Sequence, residues 1–166
     1  MRKSEIQKGK FFTDNKNGLR EVLDVGPQYT LPNRSEDDDC LLYRVHCARV
    51  AAEVGSEKSS TRMSFAAWAK EEVPTDEVQA FIQHQRAMQI ASKLSETQRV
   101  FLETFDRDLD EGSSIECARE EFRVAKACRE KGLINEMPDK LTSECRHFDV
   151  KLSQLGISVI EAVHTR

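Results

Sequence analysis

Ser113-Ser114-Ile115-Glu116-Cys117-Ala118-Arg119-Glu120-Glu121-Phe122-Arg123-Val124-Ala125-Lys126-Ala127-Cys128-Arg129-Glu130-Lys131-Gly132 opens with serine followed three residues later by glutamate. That spacing is the capping-box signature, in which each side chain satisfies a free backbone N–H of a helix start. Ile115, Ala118, Phe122 and Ala125 then recur at helical spacing, with Val124 and Cys128 at the edges. Lys131-Gly132 closes the run, a cation at the negative helix end and a glycine where the chain must turn. Read this way, residues 114 to 131 are one amphipathic helix, and the second half of the chain is built from helices.

Working upstream, Ser95-Glu96-Thr97-Gln98 is another capping box, opening a helix with Phe101, Leu102, Phe105 and Leu109 on its apolar face. Downstream, Leu133-Ile134-Asn135 reads as a short extended piece, Met137-Pro138-Asp139 as a turn, and Lys140-Leu141-Thr142 as its return. Leu141, Cys145, Phe148, Leu152 and Leu155 predict a last helix starting at Thr142 or Ser143 and ended by Gly156. Residues 157 to 163 then pack back as a strand or a helical turn. Phe101, Phe122 and Phe148 are expected to share one interior.

The first half has a different rhythm. Lys10-Phe11-Phe12-Thr13 reads as a strand, and Asn17-Gly18 as a hairpin turn whose central positions take positive φ. Leu19, Glu21, Leu23 and Val25 line one side of the next strand, which Gly26-Pro27 ends. Residues 32 to 39 are polar, and the acidic run Glu36-Asp37-Asp38-Asp39 reads as a solvated loop. Residues 40 to 49 are extended, 50 to 54 are strand or helical turn, and 55 to 60 are turn. Thr61-Arg62-Met63 is a short strand, and Ser64 caps a helical turn with Phe65 and Trp68 on one face. Short strands and tight turns predict a small SH3-like or otherwise curled β-barrel over residues 1–73. Pro74 and Thr75 mark the boundary to a connecting helix over 74–94, with Thr75 as N-cap and Val78, Phe81, Met88 and Ala91 on one face. That face allows a homodimer. The fold class is α+β, with residues 95–166 as the helical domain.

The chain has 166 residues and a formal net charge of −4. The charge is uneven: residues 1–74 hold 12 basic and 12 acidic side chains, and residues 75–166 hold 13 and 17. No bulk basic domain is present, so nucleic-acid binding would need a local patch. The five cysteines show no CxxC spacing, which predicts reduced, mostly buried thiols in the cytoplasm. No apolar run approaches the roughly 20 residues of a membrane span, and no apolar stretch follows the basic N-terminus to make a signal peptide.

Leu94-Ser95-Glu96-Thr97-Gln98-Arg99, Cys128-Arg129-Glu130-Lys131-Gly132-Leu133-Ile134 and Lys140-Leu141-Thr142-Ser143-Glu144-Cys145-Arg146 together resemble a winged-helix DNA-binding domain of bacterial and phage type. Such domains have a capped first helix, a recognition helix ended by lysine-glycine-leucine-isoleucine, a brief wing, and a leucine-threonine-x-x-glycine-arginine opening of the next helix. Cys145 stands where that glycine is usual. The segments around Gly9 to Phe12, Arg20 to Val25 and Phe65 to Ala69 are similar in style to small β-modules of phage and plasmid proteins.

The resemblance implies a nucleic-acid-binding face. On the helix, Arg119, Arg123 and Lys126 share one side, with Arg129 and Lys131 near its end. Lys140 and Arg146 come from the wing and the segment after it. Cations contact phosphates, and arginine also reads guanine bidentately. The opposing reading is a solvated face laced by Glu116–Arg119 and Glu120–Arg123 pairs. Trp68 and Phe65 read either as stacking aromatics or as barrel core. Cys40, His46 and Cys47, like Cys145 and His147, lack the paired spacing of zinc sites, and His46 and Cys47 are expected on opposite sides of a strand. No P-loop, GxGxxG, nucleophile elbow or base is present, so no cofactor and no enzyme activity are expected. Two functions follow. One is a phage or mobile-element accessory protein, a nucleic-acid-binding regulator. The other is a protein-binding inhibitor or adaptor, such as an anti-CRISPR-like inhibitor of a host defence complex.

Overall fold

A computed structural model describes residues 1–29 and 39–165. The loop read over 32–38, with most of the acidic run, lies outside the described residues. The chain is α+β and divides into two compact units, Met1–Ile82 and Gln83–Arg166.

The first unit is a five-stranded antiparallel sheet in the order β4-β3-β2-β1-β5. Its strands are β1 (Phe11–Thr13), β2 (Leu19–Val25), β3 (Cys40–Cys47), β4 (Glu57–Thr61) and β5 (Glu71–Val73). No barrel closes, because β4 and β5 occupy opposite edges of the sheet. Closure is also unnecessary for burial. Helix α1 (Arg62–Trp68) covers one face, where Phe65 packs with Phe12, Val22, Leu41, Tyr43 and Val45. The other face buries Leu19, Cys47 and Val73 under Val78, with Phe81 and Ile82 beside it.

Several local expectations change. β4 falls where the sequence reads as a turn. Glu57-Lys58-Ser59-Ser60 has no apolar alternation, yet an edge strand needs only a partner, and its residues pair with β3 from Cys40↔Thr61 to Arg44↔Glu57. Thr61, not Ser64, caps α1: its side chain accepts the Ser64 N–H at 3.1 Å. In the β1–β2 turn the positive-φ residue is Asn15 (φ 57), and Asp14 organises it by accepting the backbone N–H groups of Lys16 and Gly18 at 3.0 and 2.9 Å.

Register shifts between Leu19 and Arg20 and between Val22 and Asp24 break simple alternation along β2. Val22 is therefore fully buried while Leu23 is not. The shift also brings neighbours together: Cys47 belongs to the cluster against which Phe11 packs, and the His46 ring lies 5.5 Å from the Phe11 ring. With His46 skipped in the ladder between Leu19↔Cys47 and Arg20↔Val45, His46 and Cys47 fall on the same side of the sheet instead of pointing apart.

Helix α2 (Val78–Ala91) begins two residues later than an N-cap at Thr75 would place it. Val78 is buried in a cluster of the first unit with Phe81 and Ile82 packed against it, and Ala87 and Ala91 are buried in the second's cluster with Met88 packed against it.

The second unit contains α3 (Glu96–Glu103), β6 (Ser114–Ala118), α4 (Phe122–Glu130), β7 (Ile134–Glu136), β8 (His147–Leu152) and α5 (Gln154–His164). Its sheet is antiparallel in the order β6-β8-β7. The α3 capping box forms as predicted: Ser95 Oγ accepts the Gln98 N–H and Gln98 Oε1 accepts the Ser95 N–H.

Residues 114 to 131 are not one helix. Ser114–Ala118 pairs with β8 along its whole length, from Ser114↔Lys151 to Ala118↔His147. A single 3-10 turn at Arg119–Glu121 then leads into α4. The true start signal is Glu121, whose carboxylate accepts the Ala118 N–H at 2.7 Å. Likewise, no helix starts at Thr142. Residues 147–152 form a strand with Phe148, Val150 and Leu152 buried, and α5 begins after Ser153. Gly156 lies in the first turn of α5 and does not end a helix. One interior does hold Phe101 and Phe148 with Phe122 packed against it, and the Phe122 and Phe148 rings meet edge-on at 5.3 Å.

Candidate nucleic-acid interface

Seven cations are the sequence-derived candidates, and the structure sorts them by what they touch. Arg119 is committed internally. Its Nη1 donates to the carbonyl oxygens of Thr142 at 2.6 Å and Cys145 at 2.8 Å, and its backbone N–H donates to Arg146 O. Arg129 is committed too, donating to Met137 O at 3.3 Å and Asp139 Oδ1 at 3.0 Å. These two arginines pin the long β7–β8 connection, residues 137 to 146, to the two ends of the segment that carries α4. No sequence signal distinguishes them from the others, because their partners, three backbone carbonyls and the Asp139 carboxylate, lie 8 to 26 residues away.

Arg123, Lys126, Lys131, Lys140 and Arg146 are exposed, and among the described residues their side chains have no hydrogen-bond or ion-pair partner. Arg123 and Lys126 lie three residues apart and so share a helix face. Lys140 and Arg146 sit on the connection that Arg119 and Arg129 hold. The acidic side chains nearest in sequence, Glu120 and Glu130, are also exposed. The predicted Glu116–Arg119 pair is absent: Glu116 is on β6, 3.4 Å from His147 Nδ1.

Arg123 also borders a cavity of about 380 Å³ lined by Ser95, Thr97, Gln98, Glu120 and Val124, between the start of α3 and α4. Of the aromatic candidates, Phe65 is core, 1% exposed, and Trp68 is half-buried with Arg20 stacked on it.

The lysine-glycine-leucine-isoleucine segment has a definite structural job. Gly132 takes φ +76 after α4, and Leu133 and Ile134 enter the core. Its partner is not Lys140–Arg146 but Leu152-Ser153-Gln154-Leu155-Gly156. Ser153 N–H donates to Leu133 O at 3.0 Å, Ser153 Oγ donates to Gly132 O at 2.7 Å, and the same Oγ caps α5 by accepting the Gly156 N–H at 2.9 Å. This glycine-bearing helix opening lies eleven residues beyond Cys145.

Cys145 is the one cysteine of five that is not buried. Hydrogen bonds from Thr142, chiefly through its hydroxyl 3.0 Å from Sγ, hold its pKa below the usual thiol value, and Arg119 adds a smaller pull. Burial pushes the Cys47 and Cys128 thiols up to about 11, and burial with nearby Glu121 and Asp149 pushes Cys117 to about 12. Thiolate is the reacting form. Cys145 is therefore expected to alkylate first with iodoacetamide in the folded protein, and more slowly in a Thr142→Val variant. Peptide mapping that found Cys47, Cys117 or Cys128 labelled ahead of it would contradict this environment. Among the described residues no cluster of three or more His, Cys, Asp or Glu side chains is placed to hold a metal ion, and no helix is long and apolar enough to cross a membrane.

No protein-family model matches the chain, and neither the curated proteins nor the solved structures contain a match to it.

Proposed function

We propose that the chain is a non-enzymatic DNA-binding accessory protein whose C-terminal, winged-helix-like unit docks α4 and the β7–β8 connection on duplex DNA. The observation that carries this reading is the division of labour among the cations. Arg119 and Arg129 fasten the connection to the α4 segment, leaving Arg123, Lys126, Lys131, Lys140 and Arg146 exposed and unpaired among the described residues. A helix followed by a hairpin, with the first strand β6 paired to the second hairpin strand, supports the winged-helix reading. So does the lock between Gly132-Leu133 and the Ser153–Gly156 opening of α5. In this reading Arg123 and Lys126 approach the groove, and the loop cations neutralise phosphates alongside. A regulator encoded by a phage or mobile element is the setting that the resemblance implies.

Fluorescence anisotropy with a labelled duplex at several salt concentrations tests it. With about four phosphates neutralised, affinity falls roughly 100-fold or more between 50 and 200 mM salt. An Arg123→Glu/Lys126→Glu variant is expected to bind at least about tenfold more weakly at low salt and to show a shallower salt slope. Absence of duplex binding by the intact protein at low salt sinks the proposal.

The acidic excess of residues 75–166, with Glu120 and Glu130 beside the free cations, favours a second reading: a protein-binding inhibitor or adaptor using the same face. Mixed charge suits a protein surface better than a phosphate backbone. In that case the double variant would lose a stoichiometric protein partner while duplex DNA binding remained undetectable in both forms.

A further inference from the structure

The N-terminal unit holds a second group of cations, on the sheet face that α1 covers. Arg20 of β2 pairs across the ladder with Phe12 and Val45. Its guanidinium carbon lies 3.8 Å from the Trp68 ring centre and 4.8 Å from that of Tyr43. Stacking engages the flat face of a guanidinium and leaves its N–H edge unused. Among the described residues the half-buried Arg20 side chain makes no hydrogen bond and has no carboxylate within ion-pair distance, although its charge acts on Glu53. That N–H edge is left available to a ligand.

Arg20 lines a cavity of about 270 Å³ that Lys16 and Arg49 also border. Neither of these has an ion-pair partner among the described residues. The two carboxylates at the rim are already engaged. Asp14 accepts two backbone N–H groups of its own turn, and Glu53 Oε1 sits 2.7 Å from Lys58 Nζ. Three cations thus border one concavity against two carboxylates that already have other partners, Glu53 also feeling the Arg20 charge. The turn is shaped to allow this: any Cβ at Gly18 would lie 2.8 Å from Trp68 Cζ2, so glycine is what lets the turn close on the indole edge.

A carboxylate would offer one charge and two oxygens to these three donor groups. A phosphate group offers nearly two charges and three oxygens. We propose that this cavity binds a phosphate group, with Arg20 as a bidentate anchor held on the Trp68 face and with Lys16 and Arg49 closing on the remaining oxygens. The site uses none of the residues assigned to the DNA-docking face, so the two readings stand or fall separately.

Trp68 is the only tryptophan of the chain, and it touches the anchor directly. Its emission is therefore followed while the intact protein is titrated with inorganic phosphate, ribose 5-phosphate or a short single-stranded oligonucleotide, at ionic strength fixed with chloride. A saturable change with inorganic phosphate or ribose 5-phosphate is expected. A Lys16→Ala/Arg49→Ala variant, which leaves the Arg20–Trp68 stack in place, is expected to weaken it about tenfold or more. Equal affinity for inorganic phosphate and ribose 5-phosphate assigns the bare anion, and tighter ribose 5-phosphate binding assigns a small phosphorylated ligand; both support the phosphate site. Saturable binding of the oligonucleotide alone overturns it, because each diester carries one charge and two free oxygens. No saturable change up to about 20 mM of any ligand overturns it, since millimolar affinity is the weakest a built site should show. Undiminished affinity in the double variant overturns it as well.

Discussion

A Gly156→Ala variant is expected to lose about 3 kcal/mol of stability in the C-terminal unit, at the top of the range for overpacking. A Cβ at position 156 would stand 2.1 Å from the carbonyl oxygen of Leu133 and 3.0 Å from its carbon. Backbone, not the far end of a flexible side chain, is in the way. Leu133 cannot step aside cheaply. Its carbonyl accepts the Ser153 N–H, its own N–H donates to Cys128 O, and Gly132 before it is fixed in the left-handed region at the end of α4. Its side chain is fully buried. Moving α5 away instead would pull Ile157, Val159 and Ile160 out of the shared interior and strain the Ser153 cap. Urea unfolding followed by far-UV circular dichroism gives the number, and amide exchange should accelerate in β7, β8 and α5. Gly112→Ala is the control. That glycine has φ +82 but nothing within 4 Å of an added Cβ, so only the conformational cost of about 1 kcal/mol applies. Equal losses at positions 112 and 156 would mean that Leu133 and Gly156 do not approach as closely as the structure has them.

Gly156 also shows why parts of this fold are legible in the sequence and parts are not. Capping at Ser95 is local: the side chains that signal the helix start are the ones that make the hydrogen bonds. The same pattern at Ser113 to Glu116 misleads, because a backbone partner 30-odd residues later offers a full ladder instead. Propensity and caps are worth about 1 kcal/mol each, and five paired residues with buried Cys117 outweigh them. In β8 the ambiguity is arithmetic. Phe148 and Leu152 are four apart, a spacing that suits both a helix face and alternate positions of a strand. Val150 between them, fully buried, is what fixes the period at two. The sheet edge at β4 has no apolar period at all, so only its pairing with β3 identifies it. Of the seven candidate cations, composition and spacing find the residues but not their roles. Whether an arginine is free or, like Arg119, holds a loop depends on carbonyl groups brought near by tertiary folding. Arg20 carries no sequence signal for the same reason: a cation in a strand reads as solvated until the aromatic it lies on is located.

Phe65→Ala should cost the N-terminal unit about 3–5 kcal/mol, the usual range for truncating a buried phenylalanine. Phe65 is 1% exposed and is the side chain through which α1 reaches the sheet. Its ring meets Phe12 edge-on at 5.7 Å, Tyr43 at 5.3 Å and Trp68 at 5.4 Å, so one deletion removes three aromatic contacts as well as the buried area. The helix itself does not suffer, since alanine is the better helix former and the Thr61 cap is untouched. The loss is therefore packing alone, and a Phe65→Leu variant that refills most of the volume should recover more than half of it. For a unit of this size a loss of that order approaches the whole stability, which for small domains is only about 5 kcal/mol or a little more. The sole tryptophan makes the result easy to read: urea unfolding monitored by Trp68 emission should shift to markedly lower denaturant in Phe65→Ala. The emission of the folded variant should also move to the red, because water reaches an indole that has lost the ring beside it while Arg20 still covers its face. An unshifted midpoint would mean that α1 is not the element covering this face. The stacked Arg20 would then have no platform, and the case for an anchored anion beside it would fall with the helix.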